Sequence, residues 1–447
     1  MREQRKKLIH YIIPAMLANI SMFILTIVDG MFVGNGVGTD ALGAVSLAMP
    51  FVMFLGAVSV LFNIGGVAVA AVRFGRGDNI GANQAFMHSL SVNAATFSVI
   101  SVLGIVFSDK IAVYLGANNT YLSMVSDYVR WYSVFLVPST LFYCFNSFAR
   151  NDGNPNIAMI TSIVCTVVNI FGDWLLVYPL AKGVAGAAFA TGFANFTGFL
   201  VALSHFVLKK GNLRIRKFKI DFSLYRKIML RGLPEMIAQF ANPITTFFMN
   251  RMLITYLGNV SVNAFSVVCY AASLFVSLMY GLAGGLQHLY GLSYGAKDDA
   301  SLKYYFKSGR RIALFGGLCI FALTFILGRP IGVLFGAEEA AIKIVETALP
   351  KYCLNYVFAA SSSVIGAYLF STKRTPYALA LNICRSLVFN SVCINVLPRL
   401  FGYDFVWFTV AVAEGICLAI AMTLKNISEK TALYTDNSAH KKGMLKK

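Results

Sequence analysis

The chain has 447 residues, of which 57% are hydrophobic and 13% are charged, and its mean hydropathy is +0.68. A soluble globular domain is usually nearer half apolar and about a quarter charged. The composition therefore excludes an ordinary soluble enzyme, a disordered chain and a small disulfide-bonded scaffold. The chain carries 38 basic and 19 acidic side chains, and the meaning of this excess depends on where the basic residues lie.

Twelve apolar runs are long enough to cross a bilayer as helices, which takes about 20 mostly apolar residues each. The first run is too long for a signal-peptide core and contains an acidic residue, so we interpret it as a retained first span. The runs lack the alternation typical of barrel strands, which favours helices. The predicted spans are 8–33, 42–72, 84–107, 121–149, 157–180, 184–208, 228–257, 260–292, 303–328, 339–371, 376–398 and 403–425.

The basic residues are concentrated in alternate loops. With the N-terminus inside, 29 of the 38 fall in cytoplasmic segments, nine of them in residues 209–231. This is the positive-inside pattern, and it predicts a multi-pass protein of the cell inner membrane with both termini in the cytoplasm. The pattern explains the positive charge without a nucleic-acid partner, and we expect none. Segment 209–231 either lies on anionic lipid headgroups or is a solvated linker, and the sequence leaves both readings open.

The two halves of the sequence repeat at a shift of 220 residues. Pro14 then aligns with Pro234, and Gly65 aligns with Gly285. Internal repeats among twelve spans are typical of secondary transporters, whose two bundles enclose a substrate site. We predict an all-α integral membrane fold of two pseudo-symmetric six-helix lobes. The predicted divisions are an N-terminal lobe (1–208), a basic cytoplasmic linker (209–227), a C-terminal lobe (228–425) and a cytoplasmic tail (426–447).

Ionisable residues inside a bilayer are costly and are therefore candidates for a functional site. Asp29 in span one and Asp173 in span five should lie in the outer half of the first bundle, given a rise of about 1.5 Å per residue. Asn169 shares a helix face with Asp173, and Thr191 lies near the outer end of span six. Such oxygen ligands suit a small hard cation such as Na⁺, although burial and a like charge also favour binding of a proton. The alternative is that Asp29 caps a helix end and Asp173 lies among the lipid headgroups.

The second half holds fewer candidates. Glu414 is its deepest acid, and Arg385 could pair with Glu414 or with backbone carbonyl groups. Glu235 lies in the first turn of span seven, where the helix dipole favours an acid. Arg251 is close enough to the span end to extend its guanidinium to the surface.

Sequence patterns for catalysis are absent. The chain has no Gly-rich phosphate loop, no zinc-protease motif and no nucleophile elbow. Its eight cysteines form no C-x-x-C pair, so neither a disulfide framework nor a zinc site is expected. We therefore predict a protein that is not an enzyme and has no cofactor, with transport that is either passive or driven by an ion gradient. His88 and His288 are interpreted as structural.

Several short motifs occur in a characteristic order: residues 28–34 (Val-Asp-Gly-Met-Phe-Val-Gly), 75–78 (Gly-Arg-Gly-Asp), 152–155 (Asp-Gly-Asn-Pro), 183–191 and 293–297. At these positions the chain resembles the multidrug and toxic compound extrusion (MATE) family, and most closely its DinF-like prokaryotic branch. The resemblance extends over nearly all twelve spans. It implies drug/cation antiport by alternating access between the two lobes.

The resemblance also implies roles for individual residues. In the branch whose ion site lies in the first lobe, that site is formed by an Asp on helix one, an Asn and an Asp on helix five, and a Thr on helix six. The matching residues here are Asp29, Asn169, Asp173 and Thr191. They would bind H⁺ or Na⁺.

Further implied roles concern the substrate cavity and helix one. Tyr128 and Asn146 match cavity residues, but they are 18 positions apart. That spacing is about 27 Å along a helix, which is too far for one compact site. Pro14 matches a proline linked to bending of helix one, since an interior proline removes a helix hydrogen bond. Glu414 remains the candidate acid of the second lobe.

We therefore expect a monomeric secondary transporter that exports organic, mainly cationic, compounds in exchange for H⁺ or Na⁺ and contacts membrane lipids. The alternative is a flippase for lipid-linked oligosaccharides of the same broad superfamily. A pyrophosphate substrate would require several cavity-lining basic residues, and only Arg251 and Arg385 are candidates. A passive channel is disfavoured by the two-lobe repeat.

Overall fold

The computed structural model describes residues 2–37, 39–117, 121–334 and 338–444. Within these ranges the chain is helical apart from short connections and contains no strand. Ten segments of the described chain are long and apolar enough to cross a membrane. Helices satisfy all their backbone hydrogen bonds internally, which is what a bilayer interior requires. The predicted all-α membrane fold is confirmed.

The first of two compact units comprises Met1–Met236 and Tyr280–Asp299. Residues 209–236 therefore pack with the first unit, whereas the predicted lobe boundaries follow the sequence repeat and stay a prediction. The helices of this unit are α1 (Arg2–Gly36), α2 (Thr39–Gly75), α3 (Asn79–Val106), α4 (Ser108–Tyr114), α5 (Leu122–Val134), α6 (Leu136–Asn151), α7 (Pro155–Val177), α8 (Gly183–Val207), most of α9 (Phe222–Ala238) and the end of α11 (Asn259–Gly295).

The second unit comprises Ile237–Met279 and Ala300–Lys447. A π-helical segment, Cys384–Phe389, joins two of its helices, and a 3₁₀ turn, Tyr403–Phe405, precedes the last one. Its helices are α10 (Ala241–Tyr256), the start of α11, α12 (Asp299–Leu334), α13 (Glu339–Cys353), α14 (Asn355–Ser371), α15 (Thr375–Ile383), α16 (Asn390–Phe401) and α17 (Val406–Met444).

Several predicted spans are each formed by helices in series, among them 121–149 and 228–257. Span 121–149 is divided between α5 and α6, and span 228–257 is divided between α9 and α10. Pro138 and Pro243 lie in the first turn of the second helix in each case. Proline has no N–H to donate four residues back, so the hydrogen-bond ladder is broken where the first helix ends. Neither of these two spans is among the ten apolar segments described above.

Several helices extend beyond the predicted spans, and two of these extensions concern the segments that flank the membrane. Helix α9 begins at Phe222 rather than at 228, and α17 continues to Met444 rather than ending at 425. The extension of α17 begins with an ion pair between residues one helical turn apart. Lys425 Nζ lies 2.8 Å from Glu429 Oε2. Such pairs support a helix beyond its apolar span, where hydropathy no longer indicates one.

Glycines allow α2 to pack at backbone distance against two other helices of the first unit. Gly65 on α2 meets Gly232 on α9, and Gly75 meets Gly295 on α11. A Cβ atom on any of the four would overlap the backbone of the facing helix. Small residues of this kind drive close helix packing in membranes, where the hydrophobic effect between helices is weak.

We expect Gly232→Ala to destabilise the protein, because its Cβ would overlap the Leu61 carbonyl group of α2. Overpacking of this kind costs about 1–3 kcal/mol. Gly316→Ala on α12 is the matched control, since a Cβ there meets no described atom within 4 Å. Thermal unfolding of the purified protein in detergent should show a lower midpoint for Gly232→Ala only. Equal midpoints would contradict the packing described here.

Candidate functional site

Four polar side chains on α1, α7 and α8 lie together in the first unit. Asn169 Nδ2 donates a hydrogen bond to Thr191 Oγ1 at 3.2 Å. The carboxyl groups of Asp29 and Asp173 are within hydrogen-bonding reach of each other once one of them carries a proton. Asn169 and Asp173 are completely buried, and Asp29 is partly buried. The structure thus brings the four residues suggested by the sequence into one cluster, which we call the acidic site.

The start of α7 determines where two of these side chains lie. The Asn154 side chain accepts a hydrogen bond from the Ile157 N–H at 3.2 Å, and Pro155 occupies the first position of the helix. An Asn cap followed by proline is a strong signal for a helix start. Asp173 then lies about 27 Å along the helix, with Asn169 one turn before it on the same face.

Small residues bring α7 and α8 close enough for the polar side chains to meet. A Cβ atom on Gly172 would lie 3.1 Å from the Ala190 Cβ, which is tighter than ordinary contact. Gly172 immediately precedes Asp173, and Ala190 immediately precedes Thr191. The close approach at this pair therefore places the carboxyl group and the hydroxyl group next to the same helix crossing.

Several oxygen atoms of the acidic site have no hydrogen-bond donor among the described residues. They are both carboxylate oxygens of Asp173, Oδ1 of Asp29 and Oδ1 of Asn169, and all four are buried. Buried acceptors are normally paired, and two neighbouring carboxylates repel each other. A shared proton or a bound Na⁺ would satisfy the acceptors and offset the repulsion. The residues therefore fit either ion.

Tyr128 on α5 lies beside the acidic site. Its ring is stacked on Tyr132 with the centroids 6.2 Å apart, and its side chain is within electrostatic range of both Asp29 and Asp173. An aromatic face next to negative charge is a favourable environment for an organic cation. Tyr128 therefore lies near the acidic site, and its role in the substrate cavity stays a prediction.

Asn146 lies away from the acidic site. Its Nδ2 donates to the Ala158 carbonyl oxygen at 3.0 Å and to Ser162 Oγ at 3.2 Å, near the start of α7. Ala158 precedes Asp173 by 15 residues, or about 22 Å of helix. Asn146 and Tyr128 therefore lie at different depths, and a role of Asn146 in the substrate cavity stays a prediction.

Pro14 lies inside α1, which runs without interruption from Arg2 to Gly36. Because proline has no N–H, the carbonyl group of His10 lacks its usual partner in the helix. The hydrogen-bond ladder is therefore weakened on the same helix that carries Asp29. A role of Pro14 in bending stays a prediction.

The second unit contains an ion pair between the buried Glu414 and the partly buried Arg385. Arg385 Nε lies 2.7 Å from Glu414 Oε1, and Arg385 Nη1 donates to Ser363 Oγ at 3.1 Å. Glu414 Oε2 is buried and has no donor among the described residues. Arg385 belongs to the π-helical segment, a type of distortion that is frequent at functional sites. Of the two partners that the sequence left open for Arg385, the structure shows Glu414.

The sequence analysis missed a buried acid–histidine pair in the first unit. Asp152 Oδ2 lies 3.1 Å from His205 Nε2, and both side chains are fully buried. Asp152 also accepts hydrogen bonds from the backbone N–H groups of Asn212 at 2.7 Å and Leu213 at 3.1 Å. The only sequence signal was the Asp-Gly-Asn-Pro motif itself, because His205 lies in an otherwise apolar run.

The MatE family model matches the chain twice, over residues 14–175 and 234–395. The two matches begin 220 positions apart, which is the shift of the predicted repeat. Together they cover most of the chain. The chain belongs to the MATE family. It is therefore a membrane transporter and not an enzyme, as the sequence predicted.

Relatives match along nearly the whole chain. The multidrug export protein MepA of Staphylococcus haemolyticus (strain JCSC1435) is 24% identical over 93% of this chain and 92% of that protein. MepA of Staphylococcus aureus (strain bovine RF122 / ET3-1) is 23% identical, with 94% of this chain and 93% of that protein covered.

Solved structures share the fold. A crystal structure of MATE in complex with MaD3S superposes with a TM-score of 0.90 at 22% identity, covering 96% of each chain. A structure of MATE in the bent conformation gives a TM-score of 0.88, also at 22% identity, with 97% of each chain covered. MATE structures have twelve membrane helices in two lobes, so the predicted architecture is confirmed. Membership of the DinF-like branch stays a prediction.

We expect the stability of the protein to fall strongly when one member of the Arg385–Glu414 pair is neutralised, and to fall less when both are. Arg385→Met alone leaves a buried carboxylate without its counter-charge, which costs about 3–5 kcal/mol. The double variant Arg385→Met/Glu414→Gln removes both charges and should recover much of that loss. Thermal unfolding in detergent compares the two variants. A single variant that is no less stable than the double variant would contradict a buried, mutually dependent pair.

Proposed function

We propose that this transporter exports organic, mainly cationic, compounds in exchange for H⁺ or Na⁺. The observation that carries the proposal is the acidic site, where the partly buried Asp29 and the buried Asp173 are neighbours and three of their four carboxyl oxygens lack donors among the described residues. The relatives named as multidrug export proteins support small-molecule substrates. The protein acts as a monomer in the cell inner membrane with cytoplasmic termini, and the coupling ion is its only cofactor.

The coupling follows from charge competition at Asp29 and Asp173. With neither ion bound, the site carries uncompensated negative charge that attracts an organic cation, and Tyr128 offers it an aromatic face. Binding of a proton or Na⁺ removes part of that charge and lowers the affinity for the organic cation. Because each ligand binds best in the absence of the other, the two are exchanged rather than carried together.

Helix α1 connects the acidic site to a conformational change. Asp29 lies on α1 and Asp173 on α7, so occupancy of the site changes the force between these two helices. Pro14 weakens the hydrogen-bond ladder of α1. An ion that draws Asp29 towards Asp173 can therefore bend α1 at low cost and shift the balance between the inward-open and outward-open states.

A lipid-linked oligosaccharide flippase is less well supported. Binding of a pyrophosphate requires basic side chains that are available to the ligand. Arg385 is one of the two candidates, and in the structure it contacts Glu414 and Ser363. Export of organic cations needs no such basic cluster and uses the acidic site directly.

The decisive experiment is transport of a fluorescent organic cation into proteoliposomes, with a proton gradient and a sodium gradient imposed separately. We expect one gradient to drive transport by the wild type. Asp29→Asn should fold and insert, because the amide is isosteric, but its gradient-driven transport should fall to the level of protein-free liposomes. Asp404→Asn, the same change at an exposed residue outside the acidic site, is the matched control and should retain transport.

Two results would contradict the proposal in different ways. Full gradient-driven transport by Asp29→Asn would remove this carboxyl group from the coupling mechanism. Failure of both gradients to move the dye in the wild type would overturn the export of organic cations, and lipid-linked substrates would be the next class to test.

A further inference from the structure

The basic segment between α8 and α9 is anchored on the first unit at its beginning. We call residues 209–221 the strap. Its Asn212 and Leu213 N–H groups donate to the Asp152 carboxylate at the end of α6, and that carboxylate also contacts His205 of α8. The Leu213 side chain is completely buried. A buried carboxylate with these partners holds the backbone firmly, because releasing them would leave its charge unpaired.

The rest of the strap is anchored on α3. The Arg214 N–H donates to Asn83 Oδ1 at 2.6 Å, and the Asp221 N–H donates to His88 Nε2 at 2.9 Å. His88 Nδ1 lies 2.8 Å from the Gln84 carbonyl oxygen and so must be the donor nitrogen of the ring, which leaves Nε2 as an acceptor. The strap is therefore docked at both of its ends, and the N–H groups of residues 212–214 and 221 donate to side chains of the first unit.

The side chains that point away from the protein are basic and apolar. Asp221 is the single acid of the strap, and its Oδ1 accepts a hydrogen bond from the Ser223 N–H at 2.9 Å. The exposed basic side chains are Lys209, Lys210, Arg216, Lys217 and Lys219. The large exposed apolar side chains here are Ile215, Ile220 and, at the start of α9, Phe222, with exposed fractions of 47%, 65% and 82%.

We propose that the strap and Phe222 form a binding surface for the headgroups of anionic phospholipids. The strap joins the ends of two helices, which places it at the level of the lipid headgroups. Basic residues at this level attract anionic lipid with about 1 kcal/mol each. Exposed Ile and Phe side chains are unfavourable in water, and a soluble polyanion would not cover them. At a membrane the same side chains are stabilised at the boundary of the acyl chains. The proposal depends neither on the exported compound nor on the coupling ion.

Tryptophan fluorescence with brominated lipids tests the proposal. Phe222→Trp places a reporter beside the strap, and the same protein without this change supplies the background from Trp131, Trp174 and Trp407. The full-length protein is reconstituted in mixed phosphatidylglycerol and phosphatidylcholine vesicles in which one lipid at a time is brominated. We expect stronger quenching by brominated phosphatidylglycerol at equal mole fraction, which indicates enrichment of the anionic lipid.

Neutralising the strap should abolish this enrichment. In Lys217→Gln/Lys219→Gln the relative affinity for the anionic lipid is expected to fall roughly fivefold for each lysine. Lys303→Gln/Lys307→Gln on α12 removes the same charge at exposed positions outside the strap and is the matched control. Asn83→Ala removes one anchor without changing any charge, and it should reduce the enrichment because the strap loses its fixed conformation.

Three results would overturn the proposal. Equal quenching by the two brominated lipids would show no preference for anionic headgroups. Equal loss in the strap variant and the α12 control would indicate a response to net charge alone. Abolition of the enrichment by millimolar sn-glycerol 3-phosphate in solution would identify a site for soluble phosphate instead. The thermal midpoint of each variant, measured in parallel, separates these outcomes from misfolding.

Discussion

The packing of α7 between α1 and α8 is the interaction on which the proposed function depends. It brings the carboxyl groups of Asp29 and Asp173 together in a place from which water is largely excluded. In water the two charges would be screened and separately solvated, and nothing would favour their sharing an ion. Within the first unit the same pair is stable only with a ligand that carries positive charge. In the proposed function, ion binding is thus a consequence of how three helices pack.

Glu414 of the second unit and the two carboxyl groups of the acidic site differ in where their counter-charge comes from. Glu414 in the second unit has a permanent counter-charge, because Arg385 is covalently part of the chain and stays within reach. Asp29 and Asp173 in the first unit have no basic partner among the described residues, so any positive charge must come from solution. An acid with a counter-charge inside the chain stabilises one structure. Acids without one can respond to the concentration of cations in solution. The two halves of the repeated sequence have therefore diverged at these acidic residues.

Much of the fold and of the acidic site could be predicted from the sequence, because both depend on local patterns. Hydropathy located the spans, and the four-residue spacing of Asn169 and Asp173 placed them on one helix face. What the sequence could not show depends on contacts between distant segments. Asp152 and His205 are 53 positions apart, and nothing in either neighbourhood indicates that they meet. The docking of the strap likewise depends on Asn83 and His88, which look like ordinary polar residues of a membrane helix.

The uncompensated charge of the acidic site also has an electrical consequence. A group that carries net charge and moves across part of the bilayer does work against the membrane potential, about 2.3 kcal/mol for a full charge crossing 100 mV. The Arg385–Glu414 pair is neutral as a unit, and its displacement leaves this energy unchanged. In the proposed cycle, the steps that move the acidic site are therefore sensitive to voltage, and the sensitivity differs between the loaded and empty states. The membrane potential would thus change the rates of these steps, whereas the equilibrium of a one-for-one exchange of two monovalent cations moves no net charge and is independent of the potential.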